Sequence, residues 1–325
     1  MKTVSVALAT YNGEQYLREL LDSVLSQTVE VTEICISDDC STDGTWQILK
    51  EYAARVPNIR LQRNERNFGY QRNFEIALSM CSGMYLMLCD QDDVWLSHKV
   101  ETLLSEIGDR LLVASDGHVV GADLTRMGHR LSDTYRIRDA EWSFRTVLIG
   151  NRFSGCTMMI RRDLILLAGR LPVYLPHDWW LVLIAVDRQR FRFIPECLIL
   201  YRQHDHNAIG VLEHGSITKR ISRIGNTDAA IAYNSRRLLR YYEIVRRDVI
   251  SVRSRQDIEE LIRYHESFFC RRFRPVAALR FFLYYDHLMV TGNDRISRVG
   301  RLFKSLRGIA QPERLSEIRR EAGYL

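Results

Sequence analysis

Residues 1–110 of this chain repeat one pattern, in which a short apolar run ends in a polar cluster and a stretch of helical periodicity follows. Strands that alternate with helices form β-α-β units, in which helices cover both faces of a largely parallel sheet. The pattern therefore predicts an α/β fold. The predicted strands are Val4–Ala9, Thr32–Ser37, Ile59–Gln62 and Met84–Cys89, and the clearest helices are Glu14–Gln27 and Tyr70–Cys81.

Polar residues follow three of these predicted strands at the point where each strand ends. They are the segments 10–13, 38–39 and 90–93. In open parallel sheets the ligand binds outside the carboxyl ends of the strands. We therefore expect the functional site at this edge of the sheet.

The two carboxylates of Asp90 and Asp92 are the strongest single feature of that edge. At a strand-to-loop turn, such a pair can converge on a hard divalent cation such as Mg²⁺ or Mn²⁺. Bound Mg²⁺ keeps several waters, so it needs few protein ligands when it holds a diphosphate. The alternative is an ordinary acidic turn in solvent. Polar termini on three neighbouring strands favour the ligand site.

The pattern changes toward the carboxyl terminus. Further strands are predicted at Leu111–Ala114, Thr157–Ile160 and Phe191–Ile194, with a helix at Trp179–Val186, whereas Ile217–Arg247 and Arg253–Phe269 read as helices only. The sequence therefore predicts a first domain over residues 1–212 and a helical, Arg-rich region over 213–325.

The net charge of +6 is distributed unevenly along the chain. Residues 1–200 carry 22 basic and 26 acidic side chains, whereas residues 201–325 carry 24 and 14. In Ile296–Ala310, apolar residues form one helical stripe and basic residues lie outside it. Such a helix, next to the aromatic segment Val276–Val290, is typical of binding to an anionic membrane surface. Packing against its own domain is the alternative, and no nucleic-acid-binding module is recognisable.

The seven cysteines are scattered and include no Cys-x-x-Cys pair, which excludes zinc ribbons and fits a reducing compartment. The amino-terminal apolar run is too short for a signal peptide, and no apolar run approaches the ~18–20 residues of a membrane span. We expect a cytoplasmic protein that is peripheral on the inner face of the cytoplasmic membrane.

Four blocks of the sequence carry a resemblance to a known family: VSVALATYNG, ISDDCSTDGT, NERNFGYQRNFEIAL and LCDQDDVW. In this order and at this spacing, they resemble the start of a glycosyltransferase family 2 enzyme. The DQDDVW form is most similar to the rhamnosyltransferase-like members. Three later blocks, NRFSGCTMMIRRD, PHDWWLVLIAVDR and YRQHDHNAIG, extend the resemblance to residue 210. It implies the GT-A fold, a mixed, mostly parallel sheet flanked by helices, here followed by a helical region.

The resemblance also implies which residues bind a sugar-nucleotide donor. Its nucleobase side would contact Thr10, Tyr11 and Asp39. Asn67, Gly69 and Arg72 of the third block would lie near the ribose and diphosphate, and Asp90 would face the sugar and ribose. Asn12 and Gln91 complete the set of expected donor-binding residues. Asp92 would bind the metal, and His204 would complete the metal site or contact the diphosphate.

Asp178 lies where the family keeps its catalytic base. In an inverting transfer, a carboxylate must lie opposite the leaving diphosphate, within hydrogen-bond reach of the acceptor hydroxyl. The same aspartate precedes a predicted helix and could simply cap it, and both roles are compatible. Trp179 and Trp180 could stack on a sugar or pack in the core.

These features together predict a metal-dependent, inverting glycosyltransferase of cell-surface glycan synthesis, such as O antigen. The favoured reaction moves L-rhamnose from dTDP-rhamnose onto a lipid-linked or polysaccharide acceptor. The alternatives are another donor, such as a UDP-hexose, and a non-catalytic module that binds nucleotide sugars or membranes.

Overall fold

The computed structural model describes residues 2–135, 137, 142–169, 171–172, 175–204, 238–239, 241–247, 251–267 and 275–284. The strands are β1 Val4–Thr10, β2 Glu33–Asp38, β3 Ile59–Arg63, β4 Tyr85–Cys89, β5 Val94–Trp95, β6 Leu112–Val120, β7 Arg126–Arg130, β8 Met158–Arg161 and β9 Phe191–Arg202. The helices are α1 Leu17–Leu25, α2 Thr45–Arg55, α3 Tyr70–Met80, α4 Lys99–Glu106, α5 Leu131–Tyr135, α6 Phe144–Leu148, α7 Arg162–Ala168, α8 His177–Asp187, α9 Val252–Ser267 and α10 Pro275–Tyr284.

The described strands form one mixed sheet in the order β3-β2-β1-β4-β8-β6-β9-β5, with β7 paired to β6. The first four strands in this order are parallel, as the repeated pattern predicts. β8 then pairs antiparallel with both β4 and β6, and β9 is parallel to β6 but antiparallel to β5. The mixed α/β prediction is therefore confirmed, with parallel pairing concentrated at one end of the sheet.

The helices bury the faces that their apolar spacing predicts. In α1, Leu17, Leu20, Leu21 and Val24 are buried, which is one stripe at a helical period. α8 is different, because nearly all of its residues are buried. A helix that is apolar all round belongs in the interior of a domain. Trp180 accordingly lies in the core, where its indole donates to the carbonyl of Ala168 at 3.1 Å.

The chain divides into two compact units, one of residues 1–141 and 152–211 and the other of 142–151 and 212–325. The second unit thus takes in α6 from the middle of the chain, which the sequence does not indicate. Its helices are joined by the Arg145 guanidinium, which donates to Oδ1 of Asp257 at 2.6 Å. The rings of Tyr264 and Phe281 stack with centroids 3.8 Å apart. The Arg253–Phe269 prediction corresponds to α9, whereas most of Ile217–Arg247 and all of Ile296–Ala310 lie outside the described residues.

The state of the cysteines and the presence of membrane-spanning helices can be checked over the described residues. Their six cysteines are all free thiols, and Cys270 lies outside them. Among their helices, none combines the length and the apolar character that crossing a membrane requires.

Candidate active site

The predicted polar edge exists, because the parallel register brings the carboxyl ends of β1, β2 and β4 together. Thr10 lies opposite Asp38 in the sheet, and its hydroxyl donates to Oδ1 of that aspartate at 3.1 Å. The backbone N–H of Asp39 donates to the carbonyl of Thr10 at 2.8 Å. The chain segments that leave β1 and β2 are therefore held side by side.

Gln91 clamps the segment after β1 to the acidic turn after β4. Its side-chain oxygen accepts from the backbone N–H of Tyr11 at 2.8 Å, and its side-chain nitrogen donates to the Tyr11 carbonyl at 2.9 Å. A Cβ on Gly13 would lie 2.3 Å from the same oxygen, so only glycine allows this approach. The Tyr11 ring remains 44% exposed and available to a ligand.

Asn12 connects the loops that follow β1 and β2. Its backbone has a φ of 48°, a left-handed conformation that asparagine tolerates better than most residues. Its side-chain oxygen accepts from the backbone N–H of Thr42 at 2.8 Å, and its own N–H donates to the hydroxyl of Ser41 at 3.0 Å. The observed contacts of Asn12 therefore organise the protein around the site.

The Asp39 carboxylate draws the turn after β3 into the same edge. One oxygen accepts from the backbone N–H of Phe68 and the other from Gly69, at 2.9 and 2.8 Å. The aspartate is 1% exposed. Gly69 adopts a φ of 84° and also donates to the side-chain oxygen of Asn67 at 2.9 Å. Three of the predicted donor-binding residues are thus brought together.

Arg72 lies on α3 with its side chain exposed. Its guanidinium pairs with the Glu75 carboxylate one turn further along the helix. The neighbouring Asn73 is buried instead and donates to the Thr10 carbonyl at 3.1 Å. In this arrangement α3 contributes Asn73, and not Arg72, to the hydrogen bonds of the strand ends.

The acidic turn after β4 carries Asp90 and Asp92, and Asp92 lies close to His204. The His204 ring nitrogen Nε2 lies 2.9 Å from Oδ2 of Asp92, and both side chains are largely buried. Burial, together with the charges of Asp92 and Asp178, raises the pKa of the Asp90 carboxyl to about 7. Carboxylates this close without a cation repel one another, which is the electrostatic setting that favours a bound cation.

A second group of potential metal ligands combines two residues of this turn with Cys156. Side-chain atoms of Asp90, Asp93 and Cys156 lie within 4.8 Å of one another. Asp93 is 1% exposed; its Oδ1 accepts from the backbone N–H of Arg202 at 3.0 Å, and its Oδ2 is buried without a hydrogen bond. Burial raises the pKa of this carboxyl well above its usual range, and Asp92 and Asp90 add to the effect.

Asp178 is the second residue of α8, and Pro176 occupies the N-cap position. Its Oδ1 accepts from the backbone N–H of Trp179 at 2.7 Å and its Oδ2 from that of Gly155 at 3.2 Å. The first turn of a helix favours a negative charge. The expectation that Asp178 is the N-cap residue is therefore wrong in position, although the carboxylate does bind a free N–H group of the first turn.

Two buried cations support the acidic turn, and both were missed in the sequence. Arg202 is 2% exposed, and its Nε donates to the carbonyl of Asp92 at 2.7 Å. Lys99 is fully buried; its Nζ donates to the carbonyl of Cys156 at 2.6 Å and lies 4.0 Å from the centre of the Trp95 ring. Burial lowers the pKa of Lys99 to about 8. In the sequence, only the position of Arg202 two residues before His204 hinted at a role for it. Nothing local indicated that either cation is buried, because Lys and Arg are normally exposed.

The chain is similar in sequence to a known family and to individual proteins. Residues 5–166 match the sequence profile of the family described as Glycosyl transferase family 2. An uncharacterized protein of Mycobacterium tuberculosis is 31% identical over 227 residues, which cover 62% of this chain and 59% of that protein. The Escherichia coli chondroitin synthase is 33% identical over 132 residues, 41% of this chain and 19% of the synthase. The chain thus spans about three fifths of the mycobacterial relative.

Solved structures place the fold. The crystal structure of residues 1–349 of Staphylococcus aureus TarS in complex with UDP-GlcNAc has a TM-score of 0.60 at 16% identity, and covers 97% of this chain and 92% of that one. The fold is therefore the GT-A fold of nucleotide-sugar transferases, as predicted. The segment 5–166, which carries the strand ends and the acidic turn, belongs to glycosyltransferase family 2.

Proposed function

We propose that this chain is an inverting glycosyltransferase that transfers a sugar from a nucleotide-diphosphate donor to an acceptor hydroxyl in cell-surface glycan synthesis. The observation that carries the proposal is the proximity of two aspartate carboxylates, those of Asp178 and Asp90. Asp178 accepts from the backbone N–H of Gly155, and the side chain of the next residue, Cys156, lies within 4.8 Å of the Asp90 carboxylate. The charge of Asp178 also raises the pKa of Asp90. Asp178 would thus supply the acceptor with a carboxylate near the acidic turn at the carboxyl ends of the strands.

Asp178 is the proposed catalytic base. Inversion requires a base on the acceptor side of the sugar and a departing diphosphate on the other. The hydrogen bonds from Gly155 and Trp179 orient the carboxylate without neutralising it. The acceptor hydroxyl would give its proton to Asp178 as its oxygen attacks the anomeric carbon.

Asp92 and His204 are the proposed ligands of a divalent cation, Mg²⁺ or Mn²⁺. Two neighbouring ligands of an octahedral cation lie about 3 Å apart when each is at ~2.1 Å from it, and the two side-chain atoms are separated by 2.9 Å. The group around Asp93 and Cys156 suits such a cation less well, because the Lys99 ammonium donates to the Cys156 carbonyl and interacts with Asp93. When bound, the cation would neutralise charge that develops on the leaving diphosphate.

The donor would extend along the strand ends. Tyr11 offers an exposed ring for the base, whereas Asp39 would act on the nucleotide through the turn of Asn67 and Gly69 that it holds. The other proposed donor-binding residues are Thr10, Asn12, Arg72, Asp90 and Gln91. The DQDDVW form favours dTDP-rhamnose. TarS was solved with UDP-GlcNAc, which supports a nucleotide sugar in general and keeps a UDP-hexose as the competing donor.

The proposed acceptor is a lipid-linked or polysaccharide glycan at the cytoplasmic face of the membrane. Residues 201–325 carry an excess of basic side chains, and Val276, Leu279 and Leu283 of α10 are exposed on one side of that helix. Apolar side chains beside basic ones suit an anionic membrane surface.

A donor panel and one substitution test the reaction. The Asp178→Asn variant should bind a nucleoside diphosphate as the wild type does but lose transfer by at least about 10²-fold, because it lacks the base. Asp163→Asn is the matched control, since Asp163 also lies in the first turn of a helix but is exposed. Transfer with dTDP-rhamnose in preference to UDP-hexoses would support the donor assignment. Full transfer by Asp178→Asn would contradict the assignment of the base.

Flotation of the full chain on vesicles tests the membrane proposal. Binding should require anionic lipid and weaken with salt. The double substitution Leu279→Gln and Leu283→Gln should reduce it, whereas Leu166→Gln, an exposed leucine of α7, should not. Equal binding by all three proteins would argue against α10 as the contact.

A further inference from the structure

The Tyr16 ring contacts two side chains that bear on the acidic turn. The carbon at the centre of the Arg202 guanidinium lies 4.4 Å from the centre of the tyrosine ring. The His204 ring lies against the same tyrosine, with centroids 4.8 Å apart and the planes inclined at 32°. Tyr16 is the only one of the three that is neither a charged nor a proposed metal-binding residue.

Both neighbours of Tyr16 reach Asp92. His204 does so through the 2.9 Å contact between Nε2 and the carboxylate, and Arg202 through the 2.7 Å hydrogen bond to the backbone carbonyl. The arginine also pairs with Glu19 and donates to the carbonyl of Ala122. Each of these four residues therefore contacts two of the others, and the ring of contacts includes both potential metal ligands, Asp92 and His204.

Tyr16 is itself held in place by the start of α1. It is the N-cap residue of that helix, and its backbone N–H donates to the carbonyl of Gly13 at 3.2 Å. Gly13 in turn lies against Gln91, which clamps the acidic turn from the other side. The ring thus projects from a backbone segment that hydrogen bonds fix at the same edge of the sheet.

We propose that Tyr16 is a positioning residue that orients His204 and Arg202, and through them Asp92, for the divalent cation. This inference rests on the proposed function. Side chains that orient metal ligands typically change metal affinity by 10–100-fold when they are removed. An aromatic face attracts a guanidinium and also limits the rotation of an imidazole packed against it. The ring, and not the hydroxyl, carries the effect.

The affinity of the full chain for Mn²⁺ tests this role. It is measured without donor, by calorimetry or electron paramagnetic resonance. Tyr16→Phe should bind Mn²⁺ within about twofold of the wild type, and Tyr16→Leu should bind it at least about tenfold more weakly. Tyr52→Leu is the matched control, because Tyr52 lies 4.6 Å from the Arg55 guanidinium on α2. It should lower the melting temperature and leave Mn²⁺ affinity unchanged.

The outcomes separate this inference from the proposed function. If the wild type binds Mn²⁺ and Asp92→Ala does not, but Tyr16→Leu binds it as the wild type does, the positioning role is overturned and the metal site stands. Equal losses in Tyr16→Phe and Tyr16→Leu would overturn the role of the ring. A wild type that binds no Mn²⁺ would overturn both the metal assignment and the positioning role.

Discussion

Gly155 donates its backbone N–H to the Asp178 carboxylate at 3.2 Å, and a side chain at position 155 would point toward the same aspartate. A Cβ there would lie 3.4 Å from Cβ of Asp178 and from Nε2 of His177, and 3.1 Å from the Leu88 methyl group. The glycine thus leaves room for the Leu88 methyl group beside the short 3₁₀ helix Gly155–Thr157, where this helix meets the start of α8.

We predict that Gly155→Ala lowers kcat about tenfold and changes the KM for the donor little. The added methyl group would lie 3.1 Å from the Leu88 methyl group, so Leu88 or the 3₁₀ helix that binds Asp178 must shift by a few tenths of an ångström, and small misplacements of a catalytic group are costly. Steady-state kinetics with saturating donor would measure the split. A variant that loses donor affinity and keeps kcat would instead assign the contact to donor binding.

Lys99 gives a prediction about stability. Lys99→Met roughly keeps the side-chain length and volume but removes the donor to the Cys156 carbonyl. Leaving a buried carbonyl without its hydrogen-bond donor typically costs about 1–3 kcal/mol. We therefore expect a loss of roughly that size in urea unfolding.

The matched control for this loss is Lys50→Met, because Lys50 is an exposed lysine on α2. Its substitution should change the free energy of unfolding by less than about 0.5 kcal/mol. Equal stability of the two variants would show that the Lys99 ammonium is not needed to hold the acidic turn.

These residues also indicate how far the sequence alone could lead. The strands β1, β2 and β4 and their polar ends are predictable, because alternation of apolar runs and helical periods is a local signal. The burial of Lys99 is not, since it depends on Trp95 and on a carbonyl 57 residues further along the chain. Local sequence contains no record of such partners.

β9 was underestimated for a related reason. The sequence predicts a strand over Phe191–Ile194, because Pro195 interrupts the pattern and proline is normally excluded from strand interiors. The strand nevertheless continues to Arg202. Its register with β6 shifts between Ala114 and His118, around the segment that contains the proline. The extension matters for the site, because it places Arg202 and His204 beside Asp92.

Glu33 supplies a pH-dependent prediction outside the site. Burial by itself raises the pKa of this carboxyl, but hydrogen bonds from Ser5, from Ser82 and from Arg60 outweigh burial and bring the pKa to about 2. The Ser5 hydroxyl donates at 2.6 Å and the Ser82 hydroxyl at 2.8 Å. The ionised carboxylate thus ties β2 to the turn before β4.

Because the folded pKa lies below the unfolded value of about 4.5, this stabilisation is present above pH 4.5 and is lost as the pH falls toward 2. A shift of this size corresponds to roughly 3–3.5 kcal/mol. Glu33→Gln should therefore reduce the free energy of unfolding by about that amount at pH 7, and its difference from the wild type should shrink by pH 3.

The exposed pair of Glu51 with Arg18 is the comparison, and Glu51→Gln should have a much smaller effect because solvent screens it. A difference between the wild type and Glu33→Gln that stays constant from pH 7 to pH 3 in urea titrations would mean that the hydrogen bonds to Glu33 do not depend on its charge.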